Sequence, residues 1–432
     1  MRYNASMRLL SAILLGKFVA FLTKLFKLGG GSAAPGLYAL SIEPDLVKKL
    51  ALKIPKNVVV TGTNGKTTTA KMLAHFAKES NLKVIRNHTG SNLERGIAST
   101  IISYVNPWGK QKFDLGIWEL DEAAFNSVAP KLKPDLVVFL NIFRDQLDRY
   151  GEINTVLKRW QETLKKIPSQ TKILINGDDA NILELASSFK GHIQKFGVKD
   201  FKIVGESIVH KKEQENLDFE AKDVKLNGLN GSTFQLKIEN LKLKINLPLP
   251  GIYHIYDTLA AFASAYHLNL PIRRLADTLK TYSPAFGRVE KLPFGYIFLI
   301  KNPAGATQVF ETIAPNTKSD DHLLLALNDN LADGTDVSWI WDGEFEKLKV
   351  QSAKLKVICS GDRAEDLAVR LKYAGFDPKK ITIEPDLKNA FRQARSGLKG
   401  KLFILPTYTA MLELQSTLAK SGLKKHYWEE SD

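Results

Sequence analysis

The stretch Val58-Val59-Val60-Thr61-Gly62-Thr63-Asn64-Gly65-Lys66-Thr67-Thr68-Thr69 carries the clearest chemistry in the chain. Three valines signal a short buried strand, a glycine turn follows, and Ala70-Lys71-Met72-Leu73-Ala74-His75-Phe76-Ala77 reads as a helix. A strand, a glycine loop and a helix start make backbone N–H groups converge on a phosphate. Thr63, Asn64, Gly65 and Thr68 are the expected cradle, with Lys66 reaching the outer phosphates and Thr67 offering a hydroxyl to Mg²⁺. Val60 stands where the usual G-x-x-x-x-G-K-T spacing has its first glycine, so the loop belongs to a shortened class. ATP binding is the expectation.

A second group of polar residues follows later strands. Leu115-Gly116-Ile117-Trp118 runs into Glu119-Leu120-Asp121-Glu122. A carboxylate at a strand tip beside a phosphate loop suits a nucleotide-bound Mg²⁺, so Glu119 is the candidate ligand. Asp121 and Glu122 read as a solvated turn. Asn141 opens a charged segment running to Gly151, either at the same sheet edge or as a salt-bridged loop capping a helix.

These residues need a scaffold that brings loop after loop to one edge. Apolar strand signals at Val58–Val60, Leu82–Ile85, Leu115–Glu119, Leu136–Asn141 and Lys172–Asn176 alternate with helical patterns such as Val156–Ile167. Such alternation predicts an α/β fold, a parallel sheet with helices on both faces and ligands at the carboxyl ends of the strands. Between residues 201 and 247 short alternating segments with Asn227-Gly228 and Asn230-Gly231 predict a β-rich insertion or meander. A second, smaller α/β unit has strand signals at Tyr296–Ile300, Leu323–Leu327, Lys356–Cys359, Ile381–Ile383 and Leu402–Leu405. The expected division is 1–45, an N-terminal helix and Gly-rich linker; 46–292, the ATP-binding unit; and 293–432, the C-terminal unit.

With 432 residues the chain exceeds one core. Its 61 Lys+Arg against 46 Asp+Glu give +15, which suits an acidic partner such as anionic lipid or a phosphorylated substrate. No aromatic RNA-binding signature or zinc-finger spacing accompanies that charge, so nucleic acid is not expected as a partner. The single cysteine, Cys359, excludes an intramolecular disulfide and reads as a buried structural thiol. Leu9–Leu28 is apolar but contains Lys17, Lys24 and Lys27, a poor bilayer span. A signal peptide fits badly, with Pro35 just after the Ser32-Ala33-Ala34 cleavage-like site. Two readings stay open: an amphipathic helix on a membrane face, or a helix packed on the protein's own core.

The phosphate loop, Glu119 and the Asn141–Gly151 segment together resemble the Mur ligase superfamily. Pro250-Gly251-Ile252-Tyr253-His254 and Gly287-Arg288-Val289-Glu290 follow in the family's order. Within it the chain is most similar to the MurT family, the ligase subunits of lipid II isoglutaminyl synthase. Gly29–Gly36 looks like the MurT opening, with no separate UDP-binding domain ahead of the phosphate loop. Lys301-Asn302-Pro303-Ala304-Gly305, the run Asn328–Asp342 and Leu405-Pro406-Thr407-Tyr408-Thr409-Ala410-Met411 complete the likeness, and Gln146 agrees with it.

The resemblance implies ATP-dependent amidation of the D-glutamate α-carboxylate in the lipid II stem peptide, a step of peptidoglycan biosynthesis. Implied too are ATP and Mg²⁺ as cofactors, a GatD-like glutaminase partner supplying ammonia, and a cytoplasmic site peripheral to the inner membrane face. Arg288 would help neutralise the transferred phosphoryl group, and Asn141, His254 and Asp257 would line the nucleotide site. The family places an ammonia-activating aspartate within 332–336, with Asp336 the first candidate and Asp333 the second. There are two departures. The four-cysteine zinc ribbon common in the family is absent around Gly205–Asp218, so zinc is not expected. His254 and Asp257 replace asparagines that face adenine. The competing readings are another Mur-type amino-acid ligase, such as a folylpolyglutamate synthase-like enzyme, and a non-catalytic nucleotide-binding scaffold.

Overall fold

A computed structural model describes residues 2–26, 33–87, 91–143, 153–199, 216–284, 287, 289–349 and 355–423. Arg288, residues 144–151 and most of the 205–218 stretch lie outside the described residues, as do the glycines at 29–31.

The first sheet contains β1 (Lys56–Thr61), β2 (Val84–Arg86), β3 (Leu115–Leu120), β4 (Leu136–Phe139), β5 (Lys172–Asn176), β6 (Ile193–Val198), β7 (Phe219–Leu226), β8 (Ser232–Ile238) and β9 (Leu241–Leu247). Its nine strands run in the order β2-β3-β1-β4-β5-β6-β7-β8-β9. Pairing is parallel from β2 to β7 and antiparallel for β7–β8–β9. The β-rich stretch is therefore no separate module: its strands extend the central sheet, because β7 joins β6 in parallel before the meander turns back.

Strand side chains alternate between two cores, as a sheet covered on both faces requires. Val58 and Val60 enter the core beneath the helices Lys66–Glu79 and Ile252–His267, while Val59 enters the opposite one. Leu136 and Val138 divide from Val137 and Phe139 in the same way. Phe76 and Phe262 join the two helices, ring centroids 4.8 Å apart. On the other face Phe125, Phe139 and Trp160 form a fully buried aromatic cluster.

The second sheet comprises β10 (Glu290–Leu292), β11 (Gly295–Ile297), β12 (His322–Ala326), β13 (Lys356–Ser360), β14 (Ile381–Ile383) and β15 (Leu402–Pro406). Its order is β10-β11-β15-β12-β13-β14, parallel except for the β10–β11 hairpin. Alternation recurs: Val357 and Cys359 fill one core and Ile358 the other. Cys359 is fully buried, and burial pushes its thiol up to about 12, as an inert structural thiol should be. Several strand ends differ from the sequence expectation. β4 stops at Phe139 rather than Asn141, β2 starts at Val84 rather than Leu82, and β11 stops at Ile297 rather than Ile300. Past β4 and β11 the backbone stays pinned to its neighbour strand, through Leu140 N to Thr61 O and through Phe298 N and Ile300 N to Ile404 O and Pro406 O, although the regular strand has ended.

The N-terminal helix spans Arg2–Leu25. Ala12 and Ile13 are buried against the body, and Gly16 fits closely against Ile102 and Pro35. Core packing thus accounts for one face of this helix and leaves another open to solvent. Among the described residues no helix is long and apolar enough to cross a membrane.

Candidate functional site

The loop after β1 is closed by backbone geometry. Gly62 has φ +137°, and a Cβ there would lie 2.8 Å from the Asn141 carbonyl oxygen. Gly65 has φ +88° and faces Asp257, whose Oδ1 would sit 2.1 Å from an added Cβ. Only glycine supplies both the left-handed backbone and the space. Asn141 then fixes the loop from β4: its Oδ1 accepts from Asn64 N at 2.8 Å, and its Nδ2 donates to Asn64 O at 3.0 Å. Thr63 N donates to Asn141 O at 3.0 Å, and Thr63 Oγ1 accepts from Phe143 N at 3.1 Å.

Lys66 and Thr67 open the helix Lys66–Glu79, so their side chains lie where the helix N-terminus favours an anion. Lys66 is buried, and its Nζ donates to the Gly62 and Thr63 carbonyls. Asp121 Oδ1 and Glu122 Oε2 approach that ammonium at 3.7 and 3.8 Å. This corrects the solvated-turn reading of these two acids. Glu122 is buried and Asp121 half-buried, because β3 continues to Leu120 and delivers them beside Lys66.

Thr67 Oγ1 donates to Glu119 Oε2 at 2.7 Å, placing the hydroxyl and carboxylate expected for Mg²⁺ side by side. Glu119 is buried; Arg86 Nη1 lies 3.7 Å from its Oε1. Asn87 brackets its backbone, Oδ1 accepting from Glu119 N and Nδ2 donating to Glu119 O, both at 2.9 Å. Neither Arg86 nor Asn87 was expected; their only sequence signal is their position at the end of β2, which pairs with β3. This donor set fits a magnesium nucleotide, since Mg²⁺ carried by phosphates takes only one or two protein oxygens. Among the described residues no cluster of three or more His, Cys, Asp or Glu could hold a metal alone.

An open cleft of about 740 Å³ runs from this loop between the two sheets. Asn64, Gly65, Thr68 and Asn141 line one side, His254, Asp257 and Tyr256 another, and Lys301, Gly305 and Gln308 the side of the second sheet. His254 and Asp257 are buried in the first turns of the helix Ile252–His267, with His254 Nδ1 3.3 Å from Asp257 Oδ2. Tyr256 OH donates to Asp178 Oδ2 at 2.7 Å. Neighbouring Asp179 accepts from Ile142 N at 3.0 Å and caps the helix Ala180–Leu183 through Asn181 N and Ile182 N. Burial raises the Asp179 carboxyl to about 6 against those three bonds.

The two sheets meet at the phosphate loop. Asn302 Nδ2 donates to Asn64 Oδ1 at 3.0 Å and Asn64 Nδ2 to Asn302 Oδ1 at 3.3 Å. Asn302 also caps the helix Pro303–Ile313 through Gly305 N, and Lys301 Nζ reaches Thr63 O at 3.4 Å. The Asn-Pro pair was a readable helix start, but nothing local announced its partner 238 residues away.

Asp333 and Asp336 sit on the loop after β12. Asp333 is buried and accepts from both the backbone N–H, at 2.8 Å, and the hydroxyl of Thr409. Burial raises its carboxyl above the ordinary value, against the Thr409 bonds. Asn328 joins the same clamp through Thr407 and Thr409 Oγ1, both at 3.0 Å. Asp336 is exposed and accepts from Ser338 N at 2.8 Å, at the start of a short 3₁₀ turn, Ser338–Trp341. Of the ten described residues from Thr63 to Asp257 named for the nucleotide and metal, Asn64, Gly65, Thr68, Asn141, His254 and Asp257 line the cleft, and Thr63, Lys66, Thr67 and Glu119 join them through the phosphate loop; the two aspartates occupy a separate loop system on the second sheet.

Residues 60–265 match the Mur ligase middle domain model, and residues 299–411 match the MurT ligase C-terminal model. The chain is 32% identical to the MurT subunit of lipid II isoglutaminyl synthase from Streptococcus pneumoniae strain R6, over 91% of this chain and 94% of that one. It is 30% identical to the same subunit from Staphylococcus aureus strain COL, over 90% and 93%. Among solved structures, a MurF from Acinetobacter baumannii matches with TM-score 0.69 at 16% identity, covering 89% of this chain and 80% of that one. Mycobacterium tuberculosis folylpolyglutamate synthase, complexed with ADP, matches with TM-score 0.65 at 15% identity, covering 88% and 93%. Those two likenesses establish the fold, and the full-length relatives establish more: this chain belongs to the MurT family of Mur ligase-fold proteins.

Proposed function

We propose that this chain is the ligase subunit of a lipid II isoglutaminyl synthase, an ATP-dependent carbon–nitrogen ligase of peptidoglycan biosynthesis. It amidates the α-carboxylate of D-glutamate in the stem peptide to D-isoglutamine, with ammonia supplied by a GatD-like glutaminase subunit. The observation that carries this reading is the hydrogen bond from half-buried Thr67 to buried Glu119 beneath a glycine-built phosphate loop, in a chain with MurT relatives matched over more than nine-tenths of their length.

The chemistry follows from the charges. A carboxylate is a poor electrophile, so its oxygen first takes the terminal phosphoryl group of ATP. Lys66 and the helix N-terminus behind it hold the phosphates and offset charge on the transferred group, with Arg288 as an additional cation. Mg²⁺, held by Thr67 and Glu119, supplies further charge neutralisation when bound. Asn141 and Asn302 keep Asn64 in place, while His254 and Asp257 border the nucleoside end of the cleft. Ammonia then attacks the acyl phosphate: the C–N bond forms, the C–O bond to phosphate breaks, and a nitrogen proton passes to a carboxylate. Asp336 is the better acceptor. It is exposed on its loop, whereas the Asp333 carboxyl is committed to Thr409.

Ammonia is mostly ammonium at neutral pH, so sheltered delivery from a partner subunit suits the reaction. The relatives' designation as subunits supports a complex. The test is co-expression with the cognate glutaminase, followed by mass analysis of the stem peptide. Replacement of one carboxyl OH by NH₂, dependent on ATP and glutamine, is expected. An unmodified peptide would reject the proposal.

A further inference from the structure

We infer that the open face of the N-terminal helix is a docking surface for an anionic lipid bilayer. At 100° per residue, Met7, Leu14, Phe18, Phe21 and Leu25 fall within about 60° of one another on the helical wheel. All five are exposed, between 49 and 60%. Ala12, Ile13 and Gly16 lie on the opposite side, buried against the body, so the helix is fixed with its apolar stripe outward. The stripe extends about 27 Å along the helix at 1.5 Å per residue. Leu37 and Tyr38 of the helix Ala34–Ile42, which packs against this one, are also half exposed.

Contiguous exposed apolar surface of this size marks an interaction site. Charge selects the occupant. Arg2, Arg8, Lys17, Lys24 and Lys27 precede the first acidic residue, Glu43, so this end of the chain is wholly cationic. On the wheel Lys17 and Lys24 lie on one flank of the stripe, positions from which their charges meet lipid headgroups while the stripe enters the acyl boundary; Arg8, on the other flank, donates its Nε to the Ile42 carbonyl at 2.9 Å. The helix is not long and apolar enough to span, so it lies in the plane of the surface. The inference rests on the proposed lipid-linked substrate for its purpose, since docking would bring the cleft to a headgroup-bound peptide.

The test is co-sedimentation of the full chain, alone and with its glutaminase subunit, with vesicles of phosphatidylglycerol or of phosphatidylcholine. Binding to phosphatidylglycerol is expected, reduced roughly tenfold or more by Phe18→Ser with Phe21→Ser. Lys17→Glu with Lys24→Glu should abolish the preference for phosphatidylglycerol. Should the double serine variant not fold, Phe21→Cys with an environment-sensitive fluorophore gives a second readout, because the only native thiol is fully buried. Its emission should shift to the blue with phosphatidylglycerol vesicles. Equal sedimentation of wild type and serine variant, an unshifted probe, or a probe shielded by the glutaminase in a complex that ignores vesicles would each overturn the inference. Amidation of a short-chain, water-soluble substrate separates the two readings. Turnover without vesicle binding overturns this inference alone, and vesicle binding without turnover supports it while rejecting the proposed reaction.

Discussion

The loop after β1 and the loop after β12 occupy corresponding places, each at the carboxyl edge of a parallel sheet, and they are built in different ways. The first is a local device. Gly62, Gly65 and the start of the helix Lys66–Glu79 shape it within eight residues, and Asn141, Phe143, Lys301 and Asn302 hold it from outside. The second has no such backbone cradle. Asn328 and Asp333 are held by Thr407 and Thr409, some 80 residues further along, and Asp336 lies beyond that clamp. A cradle made of backbone amides is rigid before any ligand arrives. A loop held by side chains keeps its carboxylate placed only while every bond of the clamp persists.

Substitutions separate the two designs. Lys66→Ala should have the largest effect, lowering turnover on the order of a thousandfold in a complex that still folds, with a melting temperature lowered only modestly by the carboxylates left beside the lost cation. Turnover and melting curves of the purified complex check this. Next, Asp336→Asn should lower turnover by roughly a hundredfold or more without loss of stability. Asp333→Asn should destabilise the fold by about 1–3 kcal/mol and lower activity only through that loss. Denaturant unfolding beside turnover distinguishes these outcomes; equal stability of both variants would remove the clamp. Glu119→Gln should raise the Mg²⁺ needed for half-maximal activity by roughly 10–100-fold, leaving activity at saturating Mg²⁺ less affected. A magnesium titration decides it.

A further effect concerns pH. Asp179 is raised from 3.8 to about 6, so the folded state favours its protonated form. Its contribution is present below about pH 4 and is lost as pH rises through 6, by up to ~3 kcal/mol. His267 is lowered to about 4, chiefly by burial, so its contribution is present above pH 6.5 and is lost as pH falls through 4. The two slopes oppose each other. Asp179→Asn should therefore leave stability rising with pH between 4 and 6.5, measured by urea unfolding at several pH values. A variant with the wild-type profile would contradict the assignment.

What was legible in the sequence follows the same division. The phosphate loop, Glu119 and the strands of the parallel sheet were readable because a glycine turn and a short continuous apolar run are short-range signals. Burial of Glu122 beside Lys66, the Asn87 bracket around Glu119 and the Asn64–Asn302 pair were not, since each joins segments far apart in the chain. Asp333 and Asp336 stayed ambiguous for the same reason: only the fold shows Thr409 beside the first. The N-terminal helix left two readings open because both of its faces are apolar, and a sequence pattern does not say which face meets the body.

The most direct test follows nitrogen. With ATP, lipid II and glutamine labelled with ¹⁵N at its amide, the complete complex should place the label on the α-carboxamide of the stem-peptide D-glutamate. The Lys66→Ala complex should hydrolyse glutamine yet transfer no label. Label transfer by that variant, or none by the wild type with its cognate glutaminase, would contradict an ATP-driven amidation centred on this loop.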